Sequence, residues 1–182
     1  MKKQITAALV GGFILFLWQF ISWAMLGIHE PSQLHSPNQE AILECLNQNL
    51  SEEGTYFMPR LALDAPSEDQ EAFYQKQEGK PWAIVSYHKN MQNTMGMNLG
   101  RGFLIDFLSV FLLCWILMRM KDLDMKTILL TALAVGIIGY LTINYLNTIW
   151  FKNNSIPYLI DAVLSWGLVG IWLGWFLPRG NR

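Results

Sequence analysis

Four long apolar runs dominate the chain, at residues 5–28, 102–118, 128–151 and 156–177. About 20 consecutive apolar residues cross the hydrocarbon core of a bilayer, so each run is a candidate transmembrane helix, the second being the shortest. Residues 29–99 have a different texture. In HSPNQEAILECLNQNL, Ser36, Pro37 and Gln39 read as a helix start with a capping box, and Ala41, Ile42, Cys45, Leu46 and Leu50 form one apolar stripe. TYFMPRLAL is extended, with Pro59 restricting it to a sheet edge. A second helix opens at Ser67, carries Ala72 and Phe73, and closes at Gly79 ahead of Pro81. WAIVSYH, residues 82–88, alternates Trp82, Ile84 and Ser86 against Ala83, Val85 and Tyr87, which is a strand pattern.

These elements predict a membrane all-α fold: four transmembrane helices with a small α+β extracytoplasmic domain inserted between helices 1 and 2. The divisions are an anchor helix at 1–28, the small domain at 29–99 and a three-helix transmembrane part at 100–182. A domain of about 70 residues is near the lower limit for an independent core. It is expected to lean on the membrane helices or on a partner.

Composition strengthens the membrane reading: 52% of residues are hydrophobic and only 15% charged, where a typical soluble domain carries about 25% charged. Lys2 and Lys3 ahead of the first run would also suit a signal peptide. The run is longer than the roughly 7–15-residue apolar core of such a peptide, and ISWAMLGIHE lacks an A-x-A site, so it is read as a retained anchor. Charge then orients the chain. Residues 29–99 hold ten acids against four bases, whereas Lys2, Lys3, Arg119, Lys121, Lys126, Arg179 and Arg182 gather at the opposite helix ends. The positive-inside rule places both termini and the 119–127 loop in the cytoplasm, and 29–99 outside. No Lys/Arg cluster suits nucleic acid. Cys45 and Cys114 fall at different levels, so no internal disulfide is expected, and Cys45 reads as a small hydrophobe.

The order PNQEAIL (37–43), GTYFMP (54–59), a strand ending in Tyr87-His88 and a methionine-containing stretch entering a membrane helix resembles a group of uncharacterised bacterial four-span membrane proteins. The resemblance implies the bacterial inner (cytoplasmic) membrane, with residues 29–99 periplasmic. It implies no activity.

Polar residues inside the apolar runs fall at one depth. At 1.5 Å per residue, Asp106 and Asp161 lie about 7 Å from the outer ends of their helices, Asn147 and Asn144 about 6–10 Å, and Ser22 and Gln19 about 9–13 Å. Ser109 and Ser165 sit near the deeper level. The inner halves are almost wholly apolar, Thr6 and Thr131 being mild exceptions. Intramembrane ionisable residues default to a functional reading, here an ion or proton site. The competing reading is a hydrogen-bonded clamp: Asn144, Asn147, Ser22 and Gln19 donate to Asp106, with Arg101 or Lys152 as charge partners. The clamp is favoured because the polar groups stop halfway across and no discontinuous helix is evident.

Other candidates are weaker. His88, Met91, Met95 and Met97 offer the soft donors that suit Cu(I), so copper is the one cofactor to consider, beside the plain reading of methionine as a gap-filler. His29 and His35 flank the exit of the first run and read as solvated. Asn49-Leu-Ser51 and Asn153-Asn-Ser155 match a glycosylation pattern that has no meaning in a bacterial setting. No G-x-S-x-G, H-E-x-x-H or phosphate-loop motif is present. Gly11 and Gly12 in the first run, and Gly167, Gly170 and Gly174 in the fourth, offer smooth faces for close helix packing, internal or external. Trp18, Trp166 and Trp172 lie deep enough to meet lipid, a pigment or quinone, or a neighbouring subunit. The sequence thus suggests a non-catalytic accessory or assembly subunit of a larger membrane complex, with the lipid bilayer and other membrane subunits as partners. The alternative is a small-ion, proton or copper carrier or sensor.

Overall fold

The computed structural model describes residues 1–178 apart from residues 63, 67 and 122. In chain order, α1 spans Lys2–Phe20 and continues through a π-helical turn at Ile21–Met25. The chain then forms α2 (Gln39–Asn49), β1 (Gly54–Met58), α3 (Glu68–Gln77) and β2 (Ala83–Tyr87). It returns as α4 (Met95–Leu117), α5 (Met125–Gly139), a second π turn at Tyr140–Tyr145, the short α6 (Leu146–Phe151) and α7 (Ile156–Phe176). Four stretches, Lys2–Met25, Met95–Leu117, Met125–Phe151 and Ile156–Phe176, are long and apolar enough to cross a membrane. The protein is mostly helical, as a membrane protein of this kind would be.

The chain divides into two compact units, Met1–Leu34 with Thr94–Arg182, and His35–Asn93. In the first, α1 packs against α4 and α7, and α7 packs against α5. The helices thus run α4–α1–α7–α5 side by side, while α4 and α5 barely touch. Glycines set the close approaches. A Cβ on Gly12 would lie 2.8 Å from the Phe107 backbone, and one on Gly11 2.7 Å from Val110, so α1 meets α4 through a glycine seam. Gly170 seats Leu129 and Ala132 of α5, and Gly174 seats Met125, while Gly167 makes only ordinary contact with Leu133. Gly136 of α5 admits the Trp166 ring and the Ala162 carbonyl, an approach that the pattern of small residues did not predict.

Two ends of the bundle can be told apart. At the terminal end, where the N-terminus lies, Ala7, Ala8, Leu113, Leu117, Ile128, Val169 and Leu173 form the buried apolar core. This end is not free of polar groups. Gln4 is buried and donates to the Phe111 carbonyl at 3.3 Å, and Trp172 Nε1 donates to the Ala7 carbonyl at 3.0 Å. Trp172 therefore ties α7 to α1. At the other, insert end, where the chain leaves for and returns from residues 35–93, the interior is polar.

The second helix starts at Met95, earlier than the predicted 102. Met95, Met97 and Leu99 are good helix formers and outweigh Gly96 and Gly100, and Asn98 caps back on Thr94 through N–H to carbonyl at 2.9 Å. In the insert, α2 begins at Gln39 with Asn38 as N-cap, not at Ser36. The Ser36 hydroxyl accepts only the Asn38 N–H, a local turn that does not reach the helix. Strands β1 and β2 pair antiparallel, Tyr56 opposite Val85 and Phe57 opposite Ile84. Tyr87 is the one buried hydrophobic side chain of this unit among the described residues, and its hydroxyl donates to Asn47 Oδ1 at 2.8 Å. The expected helix start at Ser67 lies outside the described residues.

Candidate functional site: a carboxylate hub beside a lateral cleft

The site begins with how α1 ends. In the π turn, Leu26 N–H bonds to the Ile21 carbonyl, five residues back, at 3.0 Å. Such single π turns concentrate at functional positions. Gly27 then adopts a left-handed φ of +61°, and Glu30 N–H closes on its carbonyl at 3.1 Å. This reversal folds His29 back onto the helix it has just left. Its ring stacks on Trp23, centroids 3.8 Å apart and planes 7° from parallel, and meets Tyr158 edge-on at 5.1 Å. His29 is 2% exposed, so the expectation of a solvated histidine was wrong. His35 is exposed as expected.

Asp161, in the second turn of α7, is where these pieces converge. Its Oδ1 accepts from Trp18 Nε1 at 3.0 Å and from Ser22 Oγ at 2.6 Å, and its Oδ2 meets His29 Nε2 at 2.8 Å. Trp18 and Ser22 stand four apart and share one face of α1. An ionised carboxylate only accepts, so His29 Nε2 carries the proton in this bond. Three donors occupy Asp161, and a carboxylate has about four acceptor sites. His29 Nδ1 is buried without a hydrogen-bond partner among the described residues.

Asp106 belongs to a separate set. Its Oδ1 accepts from Gln19 Nε2 at 2.9 Å, and its Oδ2 is buried without a hydrogen-bond partner among the described residues. Gln19 follows Trp18 by one residue, about 100° around the helix, so it faces α4 while Trp18 faces α7. Among the described residues, the one carboxylate contact of salt-bridge length is His29–Asp161, ionic when His29 is protonated. Neither Arg101 nor Lys152 pairs with Asp106.

The remaining polar residues divide. Asn144 and Ser165 line a cleft with Asp161. Ser109 also lines it, with its hydroxyl donating back to the Ile105 carbonyl at 2.9 Å. Asn147 is exposed on α6. Tyr140, within the second π turn, meets Ser155 Oγ at 3.1 Å, a buried contact that fastens the far end of α5 to the start of α7. No span is broken, as expected; π turns lie within α1's continuation and within the helix that continues α5, both at the polar level.

The cleft measures about 560 Å³. Its walls are α4 and α5, which do not close on one another, and its floor is α1 and α7. Near the insert end it presents Gln19, Trp23, Asn144, Tyr158 and Asp161; toward the bundle middle it presents Leu113, Ile116, Val135 and Trp166.

The other candidate ligands lie elsewhere. His88 and Met91 belong to the insert unit, whereas Met95 and Met97 start α4, and all four are exposed. Among the described residues no group of three or more His, Cys, Asp and Glu side chains is placed to hold a metal. Comparison of the chain with protein-family models, curated proteins and solved structures gives no match.

Proposed function

We propose that the protein is an integral membrane accessory or assembly subunit, itself non-catalytic, of the bacterial inner membrane. The observation that carries this reading is the surface of the insert. Ile42 is 49% exposed, Leu43 59%, Trp82 42% and Ile84 40%, in a unit with almost no core of its own. Large apolar side chains exposed in so small a unit support a contact site for another protein. The basic residues Lys2, Lys3, Arg119, Lys121 and Lys126 support cytoplasmic termini, with the insert periplasmic. The Asp161 hub supports a rigid anchor, since it ties α1 and the Gly27 turn to α7.

The test is extraction of the tagged full chain from its host in mild detergent. A stoichiometric second polypeptide is expected, released by the double change Ile42→Glu and Leu43→Glu without loss of the extracted chain. A monodisperse chain free of any second polypeptide would overturn the proposal.

A second reading, a proton carrier or sensor, draws on the buried His29–Asp161 pair beside the cleft. Proteoliposomes of the full chain carrying an internal pH dye test it. Flux abolished by Asp161→Asn favours it, and flux equal to that of protein-free vesicles rejects it.

A further inference from the structure

We propose that the cleft between α4 and α5 binds an uncharged ring-headed prenyl amphiphile of the quinone class, head toward the insert end. The site stands on the bundle alone and does not rest on the subunit reading. A volume of about 560 Å³ falls within the roughly 300–1,000 Å³ of small-molecule pockets. The cleft is open along its side, because α4 and α5 diverge, so a ligand can enter from lipid without crossing water.

Charge decides the head. Asp161 contributes a carboxylate to the lining, and no Lys or Arg lines the cleft among the described residues. A phosphate head would face that carboxylate with no counter-charge, whereas an uncharged head whose carbonyl oxygens only accept meets no such repulsion and needs a donor from the wall. Asn144 beside it supplies an amide that both donates and accepts. Shape points the same way. Trp18, Trp23, Tyr158 and Trp166 put flat rings around the cleft, and flat heads stack on such walls at a further gain beyond area burial. Below them the lining turns to Leu113, Ile116 and Val135, which suits a branched apolar tail.

Gly139 offers a clean test. It lines the cleft, and a Cβ there would meet nothing within 4 Å, so a larger side chain starts from open space at the cleft wall. The purified full chain in detergent is titrated with a decyl-chain benzoquinone, reading tryptophan quenching against Gly139→Phe and Ser109→Leu, which keep every tryptophan. Saturable quenching in the natural chain, weakened about tenfold or more in both variants, is the expected result. Circular dichroism and gel filtration matching the natural chain confirm that the variants fold. Quenching that rises linearly and equally in all three overturns the site. Saturable, Gly139-sensitive quenching by brominated phosphatidylglycerol that the quinone does not displace overturns the ring-headed assignment. So does a photocross-link from position 139 to a partner helix.

Discussion

His29 and Asp161 stand 132 residues apart in sequence and meet at 2.8 Å, Nε2 to Oδ2. One belongs to the turn after α1 and the other to the second turn of α7, so the pair holds these elements together at the insert end. His29 has no water contact to fall back on, and Asp161 keeps only 18% exposure. Removing one partner of a buried pair leaves the other charge uncompensated. His29→Leu should destabilise the detergent-solubilised chain by about 3 kcal/mol, at the lower end for such pairs because Asp161 is partly exposed. Thermal unfolding followed by circular dichroism measures it. A loss below the scatter of replicate melts would show that the pair does not clamp the bundle.

The two aspartates should answer differently to amidation. Asp161→Asn turns an acceptor of three donors into a group that brings two N–H donors of its own, at a cost of about 1–3 kcal/mol. Asp106→Asn keeps an oxygen for its single donor, Gln19, and removes Oδ2, a buried oxygen that has no hydrogen-bond partner among the described residues. It should be neutral or mildly stabilising. Equal losses in the two variants would contradict the separation of the two sets.

Glycine replacements should sort by space. Gly12→Ala places a Cβ 2.8 Å from Phe107 backbone atoms, which cannot yield, so the α1–α4 seam must open. A loss of about 1–3 kcal/mol is expected. Gly139→Ala meets nothing within 4 Å and should gain about 0.4–1 kcal/mol through reduced chain entropy. Reversal of this order in paired melts would contradict the packing described.

Asp124 caps α5, and its carboxyl is held below the usual carboxylate range by its hydrogen bonds to Thr127, the side-chain one first and the backbone N–H next. A depressed folded value means that the cap stabilises fully above the unfolded value near 3.9 and is lost as pH falls through the folded value. Acid should therefore fray the start of α5, and Asp124→Asn should remove that acid dependence. Hydrogen exchange of the Thr127 amide from pH 6 down to pH 3, corrected for intrinsic rates, follows it.

Topology is tested by single cysteines at Gln70, Leu123 and Asn154 in a chain with Cys45 and Cys114 replaced. An impermeant maleimide applied to intact cells should label positions 70 and 154 and spare 123. Labelling of 123 under those conditions would invert the proposed orientation.

The four spans were legible because apolar length is a strong signal, and the strand at 83–87 because its alternation is strict. Less was legible wherever a local reversal or a single added residue decides placement. Nothing in the periodicity shows that Gly27 turns left-handed and returns His29 to the helix, so a buried histidine was read as solvated. A π turn changes neither composition nor run length, so Ile21–Met25 and Tyr140–Tyr145 left no trace in the pattern. Depth along each helix grouped Asp106 with Asp161. Rotation about α1 separates them, since Gln19 and Trp18 are neighbours in sequence and point to different partners. Gln4 escaped notice because a neutral amide near a terminus is unremarkable until its helix is packed against a carbonyl.

Each π turn adds one residue to its winding and so rotates everything beyond it by about 100°. The turn at Tyr140–Tyr145 thereby sets the rotation of α6 against α5, and Ile143 and Asn144 stand on the cleft wall within it. Deleting one residue there would re-aim α6 while leaving Val135, Gly136 and Gly139 in their present register.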